Sequence, residues 1–262
     1  MNAVTILLPV HRAGPELDGA YASVVNQTLA PSEILIILNA SDDATRQRAL
    51  ALRAPGIPTR VLELPEASLP RALNLGLAEA GTELVARMDA DDRSSPQRLE
   101  RQVGAMNEHP GLIALGCAYS VESESGRQLG VVRPPEDAGE ARWRLLLGNV
   151  FAHGSMLLRR EGVLAAGGYD ESKVRAQDYD LWLRLSQQSA CVGAIPDTLY
   201  ALRRHGDADA FTSTPEQGEH ASASLLEAWD RLDPEPDERL RPALARLLTR
   251  TNPAPVPTAH EA

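Results

Sequence analysis

Lysine is almost missing from this chain. Of 26 basic residues only Lys173 is a lysine, and they face 36 acidic residues for a net charge of −10. An acidic chain without a basic run argues against nucleic-acid binding, because a phosphate backbone needs clustered cations. Cysteine is nearly as scarce. Cys117 and Cys191 lie far apart among apolar neighbours, with no metal-ligand spacing, and read as buried free thiols of a reducing cytoplasm. Nowhere do 18 apolar residues run together, which leaves no membrane span. The first apolar run, Val4–Val10, is too short for a signal segment and has no positive stretch before it. A cytoplasmic protein without a transmembrane segment is expected, with peripheral membrane contact left open. The Gly-rich phosphate cradles are missing too: there is neither a GxGxxG turn nor a GxxxxGK[ST] loop. Any bound phosphate must then be neutralised by a metal and a few arginines, which is not the design of a dehydrogenase or an ATPase.

What is present is a regular beat. The chain has 262 residues, 43% of them apolar, enough for one large domain or two small ones with a shared core. Val4–Val10 is a continuous apolar run, as in a parallel strand covered on both faces. Gly14-Pro15 opens a helix with Leu17, Tyr21 and Val24 on one face. Ile34–Leu38 is a second strand, and Asp42 or Asp43 caps a helix running to about Arg53. Thr59–Leu64 is a third strand; Ser68 caps a helix with a Leu69, Leu73, Leu77 stripe; Leu84–Met88 is a fourth strand. Such β-α beats predict an α/β fold with a largely parallel sheet flanked by helices, whose ligands bind at the carboxyl ends of the strands. Those ends carry His11, Asn39 and the acidic run Asp89–Asp92. A helix follows Ser95-Pro96, then a strand over Leu112–Val121, a loop from Gly126 to Glu140, and a further α+β stretch to about His205. Two helical patches, Ala221–Leu232 and Glu238–Thr249, form a small C-terminal extension before a Pro- and Ala-rich tail read as disordered.

The acidic run Asp89-Ala90-Asp91-Asp92 carries the strongest chemistry. Carboxylates this close raise one another's pKa unless a cation screens them. A solvated acidic turn ahead of a helix is the bland alternative. Its position at a strand end favours instead hard oxygen ligands for Mg2+ or Mn2+, which use few protein carboxylates and fill their remaining places with substrate phosphates. Asp178 falls at the start of a helix striped by Leu181, Trp182 and Leu185. It is either an N-cap or a general base, its ionised form favoured by the helix terminus. His205 follows the strand-like Leu199–Arg203 and is either a surface residue or a third metal ligand; His153 has no comparable rationale.

Together these segments resemble family 2 glycosyltransferases of the GT-A fold. The matching pieces are Ile6–His11, Ser23–Thr28, Glu33–Asp43, Leu73–Leu77, Ala86–Arg98, Gly148–Ser155, Gly167–Asp170 and Gln177–Leu185, in the family's order, over roughly residues 3 to 205. The resemblance implies inverting transfer of a hexosyl group from a nucleotide-sugar to a hydroxyl of a glycan or lipid-linked acceptor, as in surface polysaccharide biosynthesis. It assigns a metal (Mn2+ or Mg2+) to Asp91, completed by His205, and the base to Asp178. It places Pro9, His11, Asn39, Arg71, Asp89 and Ala90 around the nucleotide-sugar. Residues 1–92 become the nucleotide-binding half and 93–205 the acceptor half, with 206–262 as the extension. Two residues depart from the pattern. Asn39 stands where aspartate is usual, which keeps UDP or dTDP possible and disfavours guanine. Gln177 stands where glutamate is usual, so a catalytically degenerate nucleotide-binding protein of the same fold is the alternative.

Overall fold

The computed structural model describes residues 3–187 and 191–204, together with residues 221, 223–225 and 227–228. His205 and most of the C-terminal extension lie outside them.

The expected beats appear in order: β1 (Val4–Val10), α1 (Glu16–Val25), β2 (Glu33–Asn39), α2 (Asp43–Ala51), β3 (Thr59–Leu64), α3 (Leu69–Glu79) and β4 (Leu84–Arg87). Asp42 caps α2 by accepting the Thr45 N–H, and Ser68 caps α3 by accepting that of Arg71. Then come β5 (Arg93–Ser94), α4 (Arg98–Glu108), β6 (Ala114–Glu122), β7 (Gln128–Val132), α5 (Ala138–Leu145), a 3-10 turn (His153–Ser155), β8 (Leu157–Arg159), α6 (Arg160–Ala165), α7 (Gln177–Gln187) and β9 (Val192–Arg203).

One sheet holds all these strands, in the order β3-β2-β1-β4-β8-β6-β9-β5, with β7 beside β6. Its first part is parallel, so β1, β2 and β4 end at one edge. The second part is mixed: β8 runs antiparallel to β4 and β6, whereas β9 runs parallel to β6. The sheet is therefore less parallel than its opening beats suggest. The stretch expected as a loop from Gly126 to Glu140 contains β7 and the start of α5. Ser123 Oγ accepts the Arg127 N–H at 3.1 Å across a tight turn in which Gly126 takes φ +80°, and this turn folds β7 back on β6.

Both faces of the sheet are buried, and the strands alternate between two cores. Val4, Ile6, Leu8 and Val10 of β1 pack with Leu17, Tyr21 and Val24 of α1 and with Leu99 and Met106 of α4. Leu7, Leu35 and Ile37 face the other way, onto Leu73 and Leu77 of α3 and Leu181, Trp182 and Leu185 of α7. A period of two with both faces apolar is what makes β1 and β2 read as unbroken hydrophobic runs. Cys117 and Cys191 are buried and free, as expected. Among the described residues no helix is long and apolar enough to cross a membrane.

Candidate active site

At the carboxyl edge β1, β2 and β4 each deliver a side chain. The β1–β4 ladder stops at Leu7 and Arg87, and Pro9, with no N–H to give, lies just past its end, so the two strands can part. His11 Nδ1 lies 2.7 Å from the Asn39 carbonyl, so that nitrogen carries the proton. Asn39 also reaches α3: its Oδ1 accepts the Ser68 N–H at 2.7 Å. That bond occupies one side of the amide carbonyl expected to read a base and leaves the NH2 as its open donor. The next residue, Ala40, is held at φ +49°, a left-handed conformation that a non-glycine side chain adopts only when its surroundings dictate it. Arg71, in the first turn of α3, is half-exposed and pairs with Glu66 at 2.6 Å and Glu171 at 3.9 Å. The structure thus gathers His11, Asn39 and Arg71 at one end of the site. A hollow of about 290 Å³ adjoins it, lined by Leu38, Ala40, Ser41 and Leu64 together with the Arg46–Glu63 ion pair.

The acidic loop is wired from behind. Asp89 Oδ1 takes a 2.7 Å bond from the buried Arg87, whose other terminal nitrogen donates to the Met88 carbonyl. Burial opposes the Arg87 charge, but Asp89 and the nearby tyrosines more than offset it, and its pKa is raised. Asp92 points inward: Oδ2 accepts the Tyr200 hydroxyl at 2.6 Å and Oδ1 the Arg203 N–H at 2.7 Å. Burial first, and the Asp89 charge second, push Asp92 up to about 7. The third acid is therefore structural, while Asp89, Ala90 and Asp91 remain half-buried at the surface of the site. Arg98, fully buried, donates to the carbonyls of Gly154 and Arg87 at 2.8 and 3.0 Å and lies 5.4 Å from the Tyr200 ring centroid. Gln27, just past the end of α1, braces the loop's exit, bonding Ser94, Ser95 and the Leu99 N–H of α4. The 3-10 turn lies flat on this cluster: a Cβ at Gly154 would stand 1.8 Å from Tyr200 Oη and 2.6 Å from Asp89 Oδ2.

Asp178 stands in the first turn of α7, after Ala176 at φ +56°. Its Oδ2 accepts the Asn149 amide at 2.8 Å. The helix terminus does lower its pKa through backbone N–H groups, as expected, but desolvation is the larger effect and Asp89 adds to it. The net shift is upward, contrary to the sequence expectation of a favoured ionised form. Tyr169 is fixed next door by Asn74 of α3, which bonds both its N–H and its carbonyl at 2.9 and 2.8 Å. Its hydroxyl lies 2.8 Å from His153 Nε2. Burial, then the Arg87 charge, lowers the pKa of His153 well below its ordinary value, so the ring is neutral. Tyr200, Arg98, Asn149, Tyr169 and His153 were not found as site residues from sequence, since no local pattern distinguishes them. All but Tyr200 do fall inside stretches that the resemblance had marked: Arg98 in Ala86–Arg98, Asn149 and His153 in Gly148–Ser155, and Tyr169 in Gly167–Asp170.

The described residues contain no cluster of three or more His, Cys, Asp or Glu side chains that could hold a metal. His205 lies outside the described residues, although Arg203, two positions earlier, is bonded to Asp92. The hard oxygens of Asp91 and Asp89 do suit Mn2+ or Mg2+ when diphosphate oxygens complete the shell.

Residues 5–165 match the family model described as Glycosyl transferase family 2. The amylovoran biosynthesis glycosyltransferase AmsE of Erwinia amylovora is 29% identical over 208 residues, 79% of this chain and 77% of the relative. The O-antigen biosynthesis glycosyltransferase WbnJ of Escherichia coli is 29% identical over 189 residues, 71% of this chain and 72% of the relative. Among solved structures, S. aureus TarS in complex with UDP-GlcNAc matches with a TM-score of 0.66 at 17% identity, over 93% of this chain and 70% of that one. The mannosyltransferase PcManGT from Pyrobaculum calidifontis, in complex with GDP-Man and Mn2+, matches with a TM-score of 0.64 at 19% identity, over 94% and 70%. Both neighbours have the GT-A fold, and so does this chain.

Proposed function

The chain belongs to glycosyl transferase family 2, and from that premise we propose that it is a metal-dependent inverting transferase. It moves a hexosyl group from a UDP- or dTDP-sugar to a hydroxyl of a glycan or lipid-linked acceptor, in surface polysaccharide assembly in the cytoplasm. Relatives named for amylovoran and O-antigen biosynthesis support the pathway class. One observation carries the mechanism: a single short segment touches both carboxylates, since Gly154 abuts Asp89 Oδ2 and Asn149, five residues earlier, donates to Asp178 at 2.8 Å.

Residues 1–92 hold the nucleotide. The Asn39 NH2 donates to a pyrimidine carbonyl, Arg71 approaches the base, Pro9 and His11 line its entry, and Asp89 with Ala90 borders the ribose and sugar. Residues 93–205 present the acceptor. Asp178 takes the proton from the acceptor hydroxyl as its oxygen forms a bond to the anomeric carbon; the bond from that carbon to the diphosphate breaks, and the nucleoside diphosphate departs with the electron pair. The raised pKa makes Asp178 a stronger base than an ordinary aspartate. When bound at Asp91 and His205, Mn2+ or Mg2+ supplies the positive charge that stabilises the leaving diphosphate. Arg87 holds Asp89 in orientation through its 2.7 Å bond.

The test is thermal. UDP with Mn2+ raises the melting temperature well above UDP with EDTA, and Asp91→Asn erases the difference. Equal stabilisation with and without the metal removes Asp91 from the donor site. A wild type that binds UDP but neither hydrolyses nor transfers a sugar establishes the degenerate alternative instead, with Gln177→Glu as the variant to revive it.

A further inference from the structure

Lys173, the only lysine of the chain, is buried at 8% exposure in the loop that leads into α7. An ammonium group leaves water only where a partner replaces it. The partner is Glu227, 54 positions later, whose Oε1 accepts from Nζ at 2.6 Å. Residues 221, 223–225 and 227–228 are helical, and Leu225 and Ala228 are buried in the core that α7 shares with α3 and α5. Gln187, the last residue of α7, donates to the Ala228 carbonyl at 2.8 Å. Two neighbouring positions, 227 and 228, thus hold the loop before α7 and the far end of the helix itself.

The loop is held differently along its length. Its first part is fastened to the body: Asn74 bonds Tyr169 twice, and Arg184 of α7 donates to the carbonyls of Ala166 and Gly168 at 2.7 and 2.8 Å. Its middle closes on itself, with Asp170 Oδ1 accepting the Ser172 N–H and hydroxyl at 2.9 and 2.7 Å. Of residues 171–176 only Lys173 is buried. The chain then passes through Ala176, whose left-handed backbone persists only where its surroundings dictate it. The Ala176 carbonyl accepts the Asp180 N–H at 3.0 Å and so closes the first turn of α7, the turn that carries Asp178.

We propose that Lys173 is a positioning residue for Asp178. Bonded to Glu227, it ties the last stretch of the loop to the C-terminal helical segment and fixes where the first turn of α7 begins. The effect on rate rests on the proposed function, in which Asp178 is the base; the tie itself does not. The C-terminal segment is then a working part of the half proposed to hold the acceptor, not an appendage to it.

The test uses the full chain. Lys173 and the N-terminal amine are its only primary amines, so acylation by N-hydroxysuccinimidyl acetate, read by mass spectrometry, reports on the tie directly. The Glu227 side chain is half-exposed, so a neutral amide is tolerated there and the effect falls on Lys173. Glu227→Gln raises the Lys173 acylation rate about tenfold, with the N-terminal rate as internal control. Hydrogen exchange quickens in the peptide spanning residues 174–180 and keeps its wild-type rate in β1, β4 and α3. Hydrolysis of UDP-glucose or UDP-N-acetylglucosamine, with water as acceptor, loses about tenfold in kcat at unchanged donor KM. Glu227→Asp, which restores the carboxylate, returns all three readings close to wild type. Unchanged exchange at 174–180 in Glu227→Gln overturns the proposal. So does a rise spread evenly over the protein, which would make the pair a general stabiliser, and so does an undiminished kcat beside quickened exchange. If the wild type hydrolyses neither sugar, the proposed donor class fails instead, and acylation and exchange still decide the tie.

Discussion

The two halves proposed to hold donor and acceptor each place a carboxylate in the candidate site, and they do it by opposite means. Asp92 is locked from two sides and Asp89 is bonded by Arg87, within a cluster that Arg98, Gln27 and the flat turn at Gly154 all buttress. Asp178 has one side-chain partner, Asn149, beyond its helix terminus, and its backbone leans on the left-handed Ala176. The difference fits the roles proposed for them. A group that shapes a charged loop must not move, whereas a base must release and take a proton while acceptors come and go. Rigid wiring on one side and a lightly held carboxyl on the other is the expected compromise between preorganisation and turnover.

If the division is real, the halves separate most sharply at their charged tips. Asp178→Asn lowers transfer by roughly 10²–10⁴-fold yet leaves UDP–Mn2+ affinity within a few-fold in calorimetry. Asp91→Asn abolishes the metal-linked part of that affinity and transfer with it. A calorimetric profile in which both variants weaken UDP alike would merge the halves into one site. Gly154→Ala strikes the buttress next. Its methyl has no room between Tyr200 and Asp89, so we expect about 1–3 kcal/mol of destabilisation by denaturant titration, with transfer falling as Asp89 is displaced.

Asp92 gives a pH signature in the metal-free protein, to which the raised pKa of Asp178 adds in the same sense. The folded pKa of Asp92, about 7, is above the unfolded one. The native state therefore holds a proton that the unfolded chain releases between about pH 4 and 7. The stability it contributes is full below that window and lost as the pH rises through it. Asp92→Asn should flatten this decline, a change on the order of 4 kcal/mol at pH 8 relative to pH 4. Unfolding of the EDTA-treated protein across that range decides it; an unchanged slope would mean that Asp92 is ionised in the fold.

The same asymmetry governs what could be read from sequence. In β1 to β4 each strand and helix is a local periodic pattern, and a parallel sheet follows from it, so Asn39 and Asp89 could be set at strand ends without a structure. In the second half the sheet order β8-β6-β9-β5 pairs segments far apart in the chain. Tyr200 meets Asp92 across 108 positions and Arg98 meets Gly154 across 56, and no local signal announces either. Strand β7 was missed because Gly126 and Pro134-Pro135 made its surroundings look like a loop. The sign of the Asp178 shift was misjudged for a related reason: the helix start is visible in sequence, but the protein packed around it is not.

The smallest expected effect tests that last point. Asn149 donates to the Asp178 carboxyl and so favours its charged form, against the desolvation that raises its pKa. Removing the donor in Asn149→Ala leaves burial and the Asp89 charge with less to oppose them, and the pKa must rise further. A hydrogen bond to a carboxylate contributes about 1–2 kcal/mol, which corresponds to a shift of about one pH unit. The base must be ionised to accept the hydroxyl proton, so the acidic limb of the kcat/KM profile marks its titration and moves to higher pH by that amount. Above that limb the variant loses only the orientation of the carboxyl, a several-fold fall in kcat at most, with nucleotide affinity unchanged. Asn149→Asp sharpens the comparison: a second carboxylate there raises the limb further by repulsion, where a purely structural defect would lower the plateau and leave the limb in place. A limb that stays put in both variants would show that Asp178 does not titrate in the rate, and the lightly held acid would then be only a helix cap.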